Sequence, residues 1–177
     1  YVYSGSDKLS IESVNAAAAA TFVVYPDGNL TDEEAQKYIN ESGIKDIVDR
    51  AASKVYVARP ANGISFTDDD VIGFETIVGK IGVSNNFKLI GIGDGATFIN
   101  QNLTSYMNFV SGLALINPAQ GQEVKVSVPT YLVTDDQAVI NSYVKANNAG
   151  KVKDGYYENP ESHYEIVVVN SDTKTSA

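Results

Sequence analysis

The residues most suited to chemistry lie in Phe87-Lys88-Leu89-Ile90-Gly91-Ile92-Gly93-Asp94-Gly95-Ala96-Thr97. The order is an apolar run, a turn of small residues, and a helix start. Glycines at 91, 93 and 95 let the backbone reverse where side chains would clash. Small residues also let a new helix lie close on the strand it has just left. Two chemistries use this shape. Gly91-Ile92-Gly93-Asp94-Gly95-Ala96 fits the dinucleotide pattern G-x-G-x-x-A, in which a pyrophosphate meets a helix N-terminus. The same residues fit the turn G-x-S-x-G that presents a nucleophilic serine, with Gly93 where the serine should stand.

Other reactive side chains are few. Cysteine is absent, so disulfides, thiolate metal sites and cysteine nucleophiles are excluded. The one histidine, His163, lies in the polar stretch Asn159-Pro160-Glu161-Ser162-His163-Tyr164 and reads as a surface residue. Asp68-Asp69-Asp70 could hold a hard cation, but the positive end of a helix already accounts for three acids there. Asp94 reads as the cap of the helix that follows it. Asp135 and Asp136 sit at another strand-to-helix turn. Ser84, Ser105 and Ser111 are not at elbow-like turns. Among the 11 tyrosines, Tyr106, Tyr131, Tyr143 and the pair Tyr156-Tyr157 could line a groove for a sugar or an aromatic ligand. Packing at strand ends is their commoner use.

Length and composition bound the answer. A chain of 177 residues with 44% hydrophobic residues suits one folded domain, read as residues 1–177, with a sizeable core. The net charge of -9 argues against wrapping nucleic acid, which needs clustered Lys and Arg. No apolar run approaches the roughly 20 residues that span a bilayer. The start at Tyr1, without Met, reads as a trimmed or mature piece, and a fragment of a longer chain fits equally. An extracellular or cell-surface setting is compatible with this, as is the cytoplasm.

The elements that must position these residues alternate along the chain. Thr21–Tyr25 is β-branched and aromatic, a buried strand, after the small-residue run 16–20. Asp27-Gly28-Asn29 ends it with turn chemistry. Thr31 and Glu34 spell a capping box for a helix, Gly43 ends it, and 44–51 adds a short amphipathic segment. Further strands are read at 54–58, from Phe87 up to the glycine turn, and at 112–116, 130–133 and 165–169. Helices are read from the acid-loaded start Thr67–Asp70 with Val71 to Ile81 on one face, after the glycine turn with Phe98 to Met107, and from 134 to about 147, and residues 171–177 as a frayed tail. Residues 1–15 give no firm assignment. The six strands are apolar runs rather than alternating ones, which predicts a doubly wound, mostly parallel α/β sheet with helices on both faces.

Context separates the two readings of the turn. A dinucleotide site wants its glycines after the first strand and an acid about 20 residues on. Here the turn follows the third strand read, and the next strand ends Leu115-Ile116-Asn117-Pro118 without an acid. The order of elements from Thr21 to Val169, the Asp69-Asp70-Val71-Ile72-Gly73-Phe74 helix start and the glycine turn together resemble the α/β-hydrolase fold. Within it they are most similar to the polyhydroxyalkanoate depolymerase and feruloyl esterase group. The resemblance implies a damaged esterase site. The nucleophile position matches Gly93. The acid position matches Asp135 or Asp136. The histidine expected after the last strand is not found in 170–177, and His163 precedes that strand. The oxyanion position matches Gly28, together with the backbone N–H of Asp94.

Three expectations follow. The first is an esterase-like domain, catalytically impaired, that works in binding or structure with a small-molecule, ester or carbohydrate ligand and no cofactor. The second is an active hydrolase using Asp94 as nucleophile or residues supplied beyond Ala177. The third is a nucleotide-binding α/β domain.

Overall fold

Parallel backbone pairing turns the apolar runs into a sheet whose side chains point alternately to two layers. The computed structural model describes residues 2–4, 8–9, 21–26, 31–41, 54–81, 87–119, 128–161 and 165–169. Its strands are β1 (Val2–Ser4), β2 (Lys8–Leu9), β3 (Thr21–Tyr25), β4 (Lys54–Arg59), β5 (Phe87–Ile92), β6 (Val110–Ile116), β7 (Thr130–Val133), β8 (Gly150–Lys153), β9 (Tyr156–Glu158) and β10 (Glu165–Val169). They form a 10-stranded sheet in the order β2-β1-β4-β3-β5-β6-β7-β10-β9-β8. From β1 through β10 in that order the pairings are parallel. β2, β9 and β8 add antiparallel edges. Helices α1 (Asp32–Glu41), α2 (Val71–Ile81), α3 (Asp94–Asn102) and α4 (Gln137–Ala146) lie in the crossovers. This is the mostly parallel α/β sheet expected from the alternation of elements.

The strand order reverses at β3. The chain passes from β3 outward to β4, returns to β5 on the other side of β3, and continues through β6 and β7 to β10. In open α/β sheets, ligand sites form outside the carboxyl ends of the strands at such a reversal. Tyr25 of β3 pairs with Gly91 of β5 there, so the glycine turn stands at the switch point.

Right-handed crossovers put α2, α3 and α4 on one face and α1 on the other. The buried Asn100 of α3 donates to the hydroxyl of the buried Tyr143 of α4, which ties two helices of one layer together. Phe74, Ile77, Phe87, Leu89, Ile99 and Leu115 belong to the core between this layer and the sheet. The opposite face is covered over β3 and β4, where Val24, Val55 and Val57 are buried, and less covered over β5 and β7. Along β5, Phe87, Leu89 and Gly91 are buried, while Lys88, Ile90 and Ile92 are only half-buried. Tyr131 of β7 is 56% exposed.

The helix starts explain themselves locally. The Thr31 N–H donates to Glu34 Oε2 at 2.7 Å and the Glu34 N–H to Thr31 Oγ1 at 3.2 Å, the expected capping box. The β8–β9 hairpin did not feature in the sequence reading, although Asp154-Gly155 is a hairpin dipeptide. Gly155 holds φ 71° in its turn. Lys151 pairs with Asp154 at 2.6 Å, and exposed lysines on this edge discourage pairing with another chain. The run 16–20, the turn 27–29, Gly43, the segment 44–51 and the tail 171–177 lie outside the described residues. Among the described residues, no helix is long and apolar enough to cross a membrane.

Candidate functional site at the carboxyl edge of the sheet

The β5–α3 turn is built from close backbone contacts. A Cβ on Gly95 would lie 1.9 Å from the Tyr25 carbonyl oxygen, and one on Gly91 would lie 2.5 Å from Ala96 Cα. Both positions therefore exclude any side chain. Gly93 is constrained differently. Its φ of 54° and ψ of -117° are those of the first central residue of a type II′ turn, a region that favours glycine. Its N–H donates to the Ile116 carbonyl at 2.8 Å, and its carbonyl accepts the Thr97 N–H at 3.1 Å, the first turn of α3. Gly93 thus occupies the N-cap itself. Asp94, expected to be the cap, is instead the first helical residue. It is exposed, and its carboxylate suits the positive end of the helix.

The β7–α4 turn is held by side chains. The Asp136 N–H donates to Thr134 Oγ1 at 3.1 Å, and Asp136 Oδ1 accepts the Ala138 N–H at 2.9 Å as the cap of α4. Thr134 is buried, and Asp135 is exposed. The Asn117 N–H donates to the Val133 carbonyl at 2.8 Å, which continues the link from Gly93 through Ile116 to the end of β7. Of the two expected acid positions, Asp136 is occupied in capping. Asp135 stands two strands from Gly93, about 10 Å across the sheet at the usual strand spacing.

The loop after β4 supplies a wall that the sequence reading missed. Asp70, 2% exposed, accepts the Ala61 and Thr67 N–H groups at 2.8 Å each. Its carboxylate therefore pins both ends of the loop. Phe66 stacks on Phe98 at 5.3 Å between centroids, and Phe66 and Tyr25 meet in a T-shaped pair at 5.5 Å. These contacts hold the loop beside α3 and leave a groove of about 370 Å³. It is lined by Ser65, Phe66, Thr67, Asp68, Asp94, Thr97, Phe98, Gln101 and Asn102. The one sequence signal was the helical spacing of 94, 97, 98, 101 and 102. Their partners in the loop are remote in the chain.

The remaining site expectations fall as follows. Gly28 and His163 lie outside the described residues, as does Ser84. Asp68 and Asp69 are exposed, and Asp70 is spent on the loop. No group of three or more His, Cys, Asp or Glu able to hold a metal occurs among the described residues. Ser111 accepts from Lys88 Nζ at 3.1 Å, and Ser105 is exposed. The tyrosines do not share one groove. Tyr143 is fully buried, Tyr131 faces outward, Tyr156 lies under Lys153, and Tyr106 donates to Glu75. That bond to the Glu75 carboxylate raises the Tyr106 phenol above its ordinary range.

A mostly parallel sheet of this order, with its tight strand-to-helix turn at the switch point, is an α/β-hydrolase-like fold. A solved structure of that class, a phospholipase/carboxylesterase from Dyadobacter fermentans, aligns with a TM-score of 0.57 at 13% sequence identity. The alignment covers 95% of this chain and 88% of that one, so the likeness spans nearly the whole fold. No family model matches the chain. No curated protein matches it.

Proposed function

We propose that residues 1–177 form one esterase-like α/β-hydrolase domain that binds a ligand and does not run the serine mechanism. The group it most resembles is the polyhydroxyalkanoate depolymerases and feruloyl esterases. The observation that carries this reading is Gly93. It occupies the turn where the G-x-S-x-G pattern puts a nucleophile, in a sharp positive-φ conformation, with no side chain to attack a carbonyl. The phospholipase/carboxylesterase likeness supports ester chemistry as the ancestry of the fold. The capping role of Asp136 supports the loss, because one of the two acid positions is held by a helix terminus.

The test is hydrolysis of p-nitrophenyl acetate and butyrate by the purified protein. The expected result is no rate above buffer, for the wild-type chain and for Gly93→Ala alike. Saturable turnover abolished by Asp94→Asn would overturn the proposal in favour of an aspartate nucleophile.

A further inference from the structure

We infer that the groove between α3 and the loop of residues 65–68 binds a short, non-anionic oligosaccharide. The inference rests on the proposed reading of this edge as a place of binding and not of hydrolysis. Residues 94, 97, 98, 101 and 102 recur at i, i+3, i+4, i+7 and i+8, so they form one stripe along α3. Eight residues of helix rise about 12 Å, which gives the groove the length for a chain of small rings. The facing wall is continuous from Ser65 to Asp68.

The lining chemistry selects the class. Ser65, Thr67 and Thr97 carry hydroxyls, and Gln101 and Asn102 carry amides, with Asn102 Nδ2 donating to the Phe98 carbonyl at 3.3 Å. Asp68 and Asp94 offer carboxylates, which accept from ligand hydroxyls in charge-assisted bonds. None of the nine lining residues is Lys or Arg, and the chain carries a net charge of -9. An anionic ligand would therefore meet the Asp68 and Asp94 carboxylates with no cationic side chain in the lining to offset them. A wholly apolar ligand would take these polar groups out of water and give them no hydrogen bond in return. A sugar chain combines hydroxyls with apolar C–H faces. The half-buried Phe66 ring supplies an apolar flank for those faces. The Asp70 clamp and the contact of Phe66 with Phe98 fix the wall before any ligand arrives, which limits the ordering cost of binding.

The test is amide NMR with calorimetry on the whole chain. The probes are maltotetraose, cellotetraose, xylotetraose and tetra-N-acetylchitotetraose, with tetragalacturonate as the anionic control. The expected result is saturation by at least one neutral chain with Kd near or below about 1 mM. The shifted amides should cluster at 65–68 and 94–102. Asp68→Ala and Gln101→Ala, both at exposed positions, should each weaken binding about fivefold, as for a lost hydrogen bond, with the melting curve unchanged. No shift at about 10 mM of any neutral chain overturns the inference, given how weak such a Kd would be. So does equal affinity for tetragalacturonate, or a cluster of shifts elsewhere. Ester turnover is measured on the same samples. Sugar binding with turnover removes only the inactivity proposal, and neither binding nor turnover removes only the groove.

Discussion

Two strand-to-helix turns lie two strands apart on the same edge of the sheet and are built on opposite principles. The β5–α3 turn works by the absence of side chains. Gly91 and Gly95 let α3 press on its own strand and on Tyr25, and Gly93 takes the positive φ between them. The β7–α4 turn works by side chains. Thr134 and Asp136 satisfy the N–H groups that a helix start leaves open. The first design leaves little tolerance for substitution at the switch point. The second is ordinary capping that many sequences could perform.

Substitution should separate the two designs in order of size. Gly95→Ala forces a Cβ to 1.9 Å from a backbone oxygen that cannot move without shifting β3. It should cost about 3 kcal/mol or more by urea unfolding. A loss below about 1 kcal/mol, the floor for overpacking, would mean that α3 does not press on β3 as described. Gly91→Ala, against the backbone of Ala96, should cost about 2 kcal/mol. Gly93→Ala tests conformation rather than space. At φ 54° it should cost about 1–2 kcal/mol. On the capped side, Asp136→Ala should cost about 1 kcal/mol, and Asp136→Ser should recover most of it. Equal costs at Gly95 and Asp136 would erase the contrast.

The smallest effect concerns the other side-chain-built start, at α1. Hydrogen bonds from the Thr31 N–H and hydroxyl hold the Glu34 carboxyl below its ordinary range. A carboxyl lowered on folding contributes stability above its unfolded pKa and loses it as pH falls through the folded one. Acidification through and below the usual glutamate range should therefore loosen this cap. NMR titration of the Thr31 amide should report a midpoint below that of a free glutamate. A midpoint at the ordinary value would remove the box as a stabilising device.

Much of the fold was legible because its signals are local. The parallel strands at 21–25, 54–59, 87–92, 110–116, 130–133 and 165–169 announce themselves by apolar β-branched runs. The helix starts at Thr31 and Asp136 announce themselves by capping chemistry. The β8–β9 hairpin was harder to read, because its strands are short and β8 is exposed throughout. Asp94 was misread as a cap because a glycine in a positive-φ turn can take that position by backbone alone.

By itself the sequence determined the order of elements, the glycine turn and the absence of a serine from it, since each depends on neighbours a few residues apart. Only the tertiary structure decided that this turn stands where the strand order reverses, that Asp70 clamps the loop before it, and that the 65–68 loop faces α3 across a groove. Those facts rest on contacts between residues tens of positions apart, such as Phe66 with Phe98, and such contacts leave no periodicity in the chain to be read.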